Sequence, residues 1–472
     1  MLRRTVWGVV SVLGSLIAIV LLLYLYGTRV DWYGNVTNPK IKNIARQNAR
    51  VEESRAAQKT EALSPTVPVE KTADAPALSV APVKLVKASY WTDFRGPNRA
   101  GEYAESPINS EWPAAGLPRL WKQPIGGGYA SFTVGEGRAY TIEQRRDKEA
   151  VTAYNIETGR ELWAFSYPAS FDEVLGGPGP RATPVYHEGL VYSLGAMGDL
   201  YCLSAATGKP KWSKNILADN DAKNIHWAMA GAPLIVDDMV IVTPGGANGK
   251  SIVAYDRLTG APLWKSLNDR AAYTSPILAT LAGKRQLVWI SGERAVGLGI
   301  EDGKLLWEYP FPAQMDMNCS QPVVIDEADV LLSSAQGPGA ALLKIAKEGD
   351  AFTAQPVWKN NRLKNKFNSS VLYQGYIYGF DEAILECLDP KTGEVKWKGG
   401  RYGYGQVLLA GGFLVITTEQ GELVLVRATP ENHQELARFQ AIEGKTWNIP
   451  AIDNGLLLVR NTEEMACFRL GR

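Results

Sequence analysis

Three histidines (His187, His226, His433) and four cysteines (Cys202, Cys319, Cys387, Cys467) are the whole stock of imidazole and thiol in the 472-residue chain. Zinc and copper sites set such ligands close together on one strand or helix. No two of these histidines are so placed: His187 precedes Glu188-Gly189 as a turn residue would, and His433 sits in a polar Asn-His-Gln run. A Ser-His-Asp arrangement would rest on His226, and no Gly-x-Ser-x-Gly stands near it. Pro244–Lys250 has glycines and a lysine, but a phosphate-cradling loop must run into a helix, and this one lies within a repeated hairpin. A Cys-x-x-Cys-His site for attached haem is missing too. Residues 90–472 carry 38 basic and 43 acidic side chains, which lacks the basic footprint of a nucleic-acid binder. No catalytic residue and no metal site is therefore expected.

The elements that would position any site come from a repeat. An apolar strand, a short apolar run, Thr-Gly and then Trp recur at Ala153–Gly159 with Trp163, Cys202–Gly208 with Trp212, Ala254–Gly260 with Trp264, and Cys387–Gly393 with Trp397. Degenerate copies end on Trp307, Trp358 and Phe439, and Trp121 precedes the first complete unit. A period of roughly 45 residues with four short strands per unit predicts propeller blades. Eight marks predict an all-β, eight-bladed propeller of four-stranded antiparallel blades over residues 90–472. Thr-Gly would make the turn between third and fourth strands, and the Trp would wedge between neighbouring blades. The C-terminal strands lack a following Trp strand, while the strand around Leu120-Trp121-Lys122 lacks inner strands, so the two are expected to complete one blade.

Cys202, Cys387 and Cys467 occupy one repeat position, filled elsewhere by Ala153, Ala254, Gly297 and Val424. That position is expected to be buried, with corresponding strands too far apart to bridge, which predicts free thiols.

The loops joining each Trp strand to the next inner strand all emerge on one face. They gather aromatic and basic residues, as an anion or peptide site does. The candidates for a ligand or partner are Arg181, His226, Trp227, Arg270, Tyr273, Asn318, Lys366, Asn368, Arg401, Tyr404 and Trp447.

By its Thr-Gly…Trp repeats, the region 90–472 resembles the PQQ-like repeat propellers of the quinoprotein alcohol dehydrogenase-like superfamily. That group contains quinoprotein dehydrogenases and the non-enzymatic BamB-like propellers. The opening Trp91-Thr-Asp-Phe-Arg-Gly-Pro-Asn-Arg99 resembles the lead-in of a bacterial envelope branch. Family enzymes commonly show two adjacent cysteines near the cofactor, and here the cysteines are far apart. The resemblance thus implies a scaffold or ligand-binding module without a cofactor. Its alternative is a quinoprotein oxidoreductase using PQQ and Ca²⁺ on alcohols or sugars.

Thr5 to Tyr26 is an uncharged run behind Arg3 and Arg4, long enough to cross a bilayer. The bulky residues that follow it argue for an uncleaved anchor over a signal peptide. Residues 1–28 are thus expected as a single-pass inner-membrane anchor, with the propeller on the periplasmic or extracytoplasmic side and an envelope protein or glycan as partner. Residues 29–89 read as a tether: Ile41 to Leu63 has the composition of a polar helix, and Ser64 to Pro82 that of an extended Pro-rich chain.

Overall fold

The computed structural model describes residues 15, 18, 19, 22, 23, 28–31, 40–63, 89–173 and 175–471. The expected span 5–26 lies outside the described residues save for five scattered positions, and the Pro-rich stretch 64–82 lies wholly outside them. Among the described residues no helix is long and apolar enough to cross a membrane.

Residues 119–470 form eight antiparallel blades around a channel. The first is Thr133–Gly135, Arg138–Arg145, Lys148–Asn155 and Glu161–Pro168, in order from the channel outward. Middle strands are buried almost throughout, whereas outer strands such as Glu161–Pro168 alternate, because their far edge meets water.

The repeat motif has a direct geometric meaning. The small residue of the third strand lies opposite the Trp of the fourth: Ala153 faces Trp163, Cys202 faces Trp212, Ala254 faces Trp264, and Cys387 faces Trp397. The register slips by one residue just beyond each pair, a β-bulge that adds twist. In the seventh blade Leu423 faces Phe439, so the expected match at Val424 is off by one residue. That blade has no Thr-Gly turn, and its bulge falls two residues later, between Leu425 and Val426. Most of these Trp also reach the next blade, Trp307 instead donating to Gln286 of its own blade at 2.6 Å. The Trp121, Trp163, Trp212 and Trp264 indole N–H groups donate at 2.9 Å to carbonyls of Ile156, Ala205, Arg257 and Ile300. Their rings cover Gly159, Gly208, Gly260 and Gly303, where an added Cβ would sit under 3 Å from the ring. Thr-Gly and Trp are therefore spaced for two different partners: the Gly is roofed by the preceding blade's Trp.

The ring closes as the strand pattern predicts. Arg119–Pro124 pairs with Glu464–Arg469, and Cys467 faces Trp121. All four cysteines are free, and Cys202, Cys387 and Cys467 are buried.

Two segments ahead of the ring are part of the folded body. Tyr90 to Tyr103 crosses one end of the channel. The Trp91 carbonyl accepts from Val134 N and that of Thr92 from Tyr186 N, while Glu102–Tyr103 adds a fifth, parallel strand inside the seventh blade. Buried Arg99 donates to the Pro276 carbonyl at 2.8 Å, to the Ala232 carbonyl at 3.2 Å and to the Pro233 carbonyl at 2.5 Å, and it pairs with Asp93 at 2.9 Å. Arg95 reaches the Ser370 carbonyl at 3.1 Å. One short plug thus ties together inner strands of several blades.

Helix α1 (Ile44–Leu63) lies along the seam between the last and first blades. Gln47, Val51, Arg55 and Gln58 share one helical face. Gln47 bonds the Thr462 carbonyl, Val51 is buried, and Gln58 donates to Gln123 at 2.7 Å and accepts from Glu161 N at 3.0 Å. Arg55 donates to Gln123 and to the Pro124 carbonyl, each at 2.8 Å, and its guanidinium lies 5.1 Å from the Tyr154 ring. Beneath it, burial works to raise the pKa of Glu143, but Arg145, Arg55 and Arg460 prevail and hold it at about 2. Over these residues the chain is seated on the ring, not a free spacer.

Candidate functional site

Strand order fixes which groups share a face. Blades run outward strand by strand, so the loops between blades and the hairpins between second and third strands emerge together. The plug crosses the opposite end. The channel is therefore a cup, closed below and open at the face where the sequence places its candidates.

A continuous aromatic wall lines one side of the mouth. Trp447 packs on Phe367 with ring centroids 4.6 Å apart and on Tyr129 at 5.5 Å, and Phe367 meets Tyr404 edge-on at 5.7 Å. Two ammoniums lie on this wall. Lys366 is 4.3 Å from the Tyr404 ring and donates to its hydroxyl at 3.1 Å, and Lys445 is 4.3 Å from the Trp447 ring. Lys366 is half-exposed, so its cation–π contact keeps a positive charge near the surface, whereas Lys445 is buried. The Trp447 indole donates to Glu419 at 3.0 Å, fixing the ring.

The other side is built on the long loop 168–183. Arg181 stacks 4.4 Å from Phe171 and 5.6 Å from Tyr129, and donates to the carbonyls of Gly177, at 2.8 Å, and Gly179. Burial pushes its pKa down to about 10, against the pull of Tyr129, Glu149, Glu173 and Tyr273. The Trp227 indole donates to Glu173 at 3.0 Å, its backbone N–H donates to the Tyr273 hydroxyl at 3.1 Å, and exposed His226 packs edge-on against its ring at 4.5 Å. Burial works to raise the Glu173 pKa, but bonds from Gly176 N, Leu175 N and the Trp227 indole hold it below the usual carboxylate range. Tyr129 joins the two sides, and its buried hydroxyl has no hydrogen-bond partner.

Of the sequence candidates, Arg181, His226, Trp227, Tyr273, Lys366, Tyr404 and Trp447 belong to these two groups. Arg270 does not: it is exposed on the rim and paired with Glu293 at 2.6 Å and Asp316 at 3.0 Å. Asn318 and Asn368 are buried and hold backbone, Asn318 donating to the Ser291 carbonyl at 2.8 Å and Asn368 to the Gly405 carbonyl at 3.0 Å. Arg401 is exposed at the end of an outer strand, away from both groups. Tyr129, Phe171, Glu173, Phe367 and Glu419 were not singled out. The first four lie in loops already assigned to this face; Glu419 lies in a hairpin, and counting hairpins with the loops would have found it.

The site can bind by stacking and by positive charge. A quinone held through Ca²⁺ needs several converging oxygen ligands. Here Glu173 and Glu419 are each engaged by an indole N–H, and among the described residues no group of three or more His, Cys, Asp or Glu is placed to hold a metal.

Eight four-stranded blades, with the preceding blade's Trp over the turn glycine at Gly159, Gly208, Gly260, Gly303 and Gly393, define a PQQ-like repeat propeller. Residues 147–399, more than half of the chain, match the family described as outer membrane protein assembly factor BamB, and the chain belongs to it. Solved structures share the fold. BamB from Moraxella catarrhalis aligns with a TM-score of 0.52 at 15% identity, over 75% of this chain and 98% of that one. The quinohemoprotein alcohol dehydrogenase ADHIIG from Pseudomonas putida HK5 aligns with a TM-score of 0.54 at 13% identity, over 79% of each chain. The computationally designed protein Ika8 aligns with a TM-score of 0.53 at 12% identity, over 75% of this chain and 99% of that one. These are likenesses of fold. In sequence, a 1-butanol dehydrogenase (cytochrome c) of Thauera butanivorans is 30% identical over 116 residues, which make up 22% of this chain and only 16% of that enzyme.

Proposed function

We propose that this chain is a membrane-anchored envelope propeller without catalysis, whose mouth captures a negatively charged segment of a protein or glycan. The observation that carries the reading is the aromatic wall with half-exposed Lys366 resting on its Tyr404 ring, in a cup closed from below. Rings provide a sequence-tolerant platform and the exposed cation selects for negative charge. Membership of the BamB family supports a scaffold role.

The segment ahead of helix α1 supports a partner close to the bilayer. Strands Thr28–Asp31 and Lys40–Asn43 pair with Thr28 opposite Asn43. Lys42 then pairs with Glu463, in a hairpin on the mouth side. An anchor over residues 5–26 in the inner membrane would hold the mouth side toward that membrane, with the propeller on its extracytoplasmic side.

The test is photo-crosslinking in native membranes from His226 at the mouth and from Leu258 in a turn on the opposite face. A discrete adduct from His226 and none from Leu258 is the expected result; equal labelling from both would sink the reading. The second reading, a PQQ- and Ca²⁺-dependent oxidoreductase of alcohols or sugars, draws on the butanol dehydrogenase match. Dye reduction by the purified full chain with PQQ and Ca²⁺, absent without them, would replace the first reading with the second.

A further inference from the structure

The plugged end of the channel holds a second cavity that the mouth does not use. It measures about 460 Å³ and lies between the plug and the inner strands of the fourth, fifth and sixth blades. This is within the size range of small-molecule sites. Its walls divide by chemistry. Ile277, Leu278, Val323, Val324 and Leu372 make an apolar side, and the plug contributes Arg95 at the inner side.

Arg95 and Arg99 are both buried in the plug, but they are not equivalent. Arg99 has a carboxylate, Asp93, and three backbone carbonyls. Arg95 has no ion pair among the described residues. Its Nε lies 3.4 Å from the Arg99 carbonyl, and its Nη2 lies 3.5 Å from the Ala100 carbonyl and 3.1 Å from that of Ser370. Its Nη1 is buried with no hydrogen-bond partner at all. A guanidinium carries five donors in a planar fork that suits a carboxylate. A buried charge without a counter-charge is costly, and a native fold retains one where something neutralises it.

We propose that this cleft binds a small amphipathic monocarboxylic acid, with its carboxylate toward the Arg95 guanidinium and its chain along the Ile277–Leu278, Val323–Val324 and Leu372 wall. The charges at the cleft's edge limit the ligand to one negative group. Arg285 there is held on both oxygens of Asp237, at 2.9 and 3.2 Å, so it is already neutralised. Exposed Glu102 on the plug would repel a second anionic group. Burial alone pulls the Arg95 pKa down to about 10, with no nearby anion opposing it. A bound acid would bridge the plug to three blades.

Octanoate is the probe, added to the purified full chain and followed by titration calorimetry beside octanol, octylamine and the dicarboxylate suberate. Octanoate should bind about tenfold or more tightly than each of the others, as a charge-assisted contact on a shared tail requires. Thr280→Trp, at an exposed position on the cleft's edge, should lower octanoate affinity by a similar factor without touching Arg95. Leu372→Trp, which fills the cleft from the apolar wall, should do the same. The proposal falls if folded protein shows no octanoate binding at millimolar concentration, if octanol binds as well as octanoate, or if octanoate binding survives both substitutions.

Discussion

The two ends of the channel are built from the same residue types to opposite effect. At the plug, Arg99 is buried and its N–H groups are spent on backbone carbonyls of several blades and on Asp93. At the mouth, Lys366 rests on the Tyr404 ring and bonds one hydroxyl. A cation whose donors are taken up by the backbone holds the fold, while a cation supported by rings keeps its charge available. The unpaired Nη1 of Arg95 is the exception at the plug, and the unpaired Tyr129 hydroxyl is its counterpart at the mouth.

The strongest way to break this contrast is Arg99→Ala. It strands Asp93 and leaves three carbonyls just ahead of the inner strands without their donor. Loss of a buried, hydrogen-bonded charge costs about 3–5 kcal/mol. The urea midpoint should fall accordingly, with the inner strands of the third and fourth blades losing hydrogen-exchange protection first. A midpoint within error of the parent would show that the plug is an ornament of the channel and not its closure.

A smaller effect comes from Glu386, buried toward the mouth in the sixth blade. Its Oε1 accepts from Leu363 N at 2.8 Å and its Oε2 has no partner. Burial, and then Asp381, raise its pKa to about 7, over the opposing pull of Lys398 and Leu363 N. A carboxyl raised in the folded state is protonated there while the unfolded chain is already ionised. The folded state then binds the extra proton, so stability falls as pH rises from the ordinary carboxylate range through about 7. Glu386→Gln should remove that fall, gaining about 3 kcal/mol over the parent at alkaline pH and little under acid conditions. Parallel pH profiles for the two proteins would refute this assignment.

The ring was legible in the sequence because its locks repeat: the small residue, the Thr-Gly turn and the Trp each recur with their own partner. The mouth was legible only as far as topology reaches. Knowing which loops share a face brought in Arg181, Trp227, Tyr404 and Trp447, but it also swept in Asn318, Asn368, Arg270 and Arg401, which structure or solvent claims. Tyr129 stands alone in a Gly-rich loop, so no spacing marks it. The plug was least readable. Arg95 and Arg99 look like solvated charges in a polar lead-in until closure of the ring sets blade carbonyls around them. Helix α1 likewise docks mainly through Gln47, Arg55 and Gln58, and a polar stripe gives no hydrophobic period to read.

The smallest effect on stability tests the mouth half of the contrast most sharply. Lys366 is half-exposed, makes no ion pair among the described residues, and bonds only Tyr404. Lys366→Met keeps the length and apolar stem over the Tyr404 ring and removes only the charge. Stability should stay within about 0.5 kcal/mol of the parent, as for a surface position away from any buried network. The adduct formed from His226 should nonetheless weaken, and added salt should change the variant's capture less than the parent's, because screening acts only on charge that faces solvent. If Lys366→Met instead destabilised the ring as Arg99→Ala is expected to, both ends of the channel would be structural, and the mouth would lose its claim to a partner.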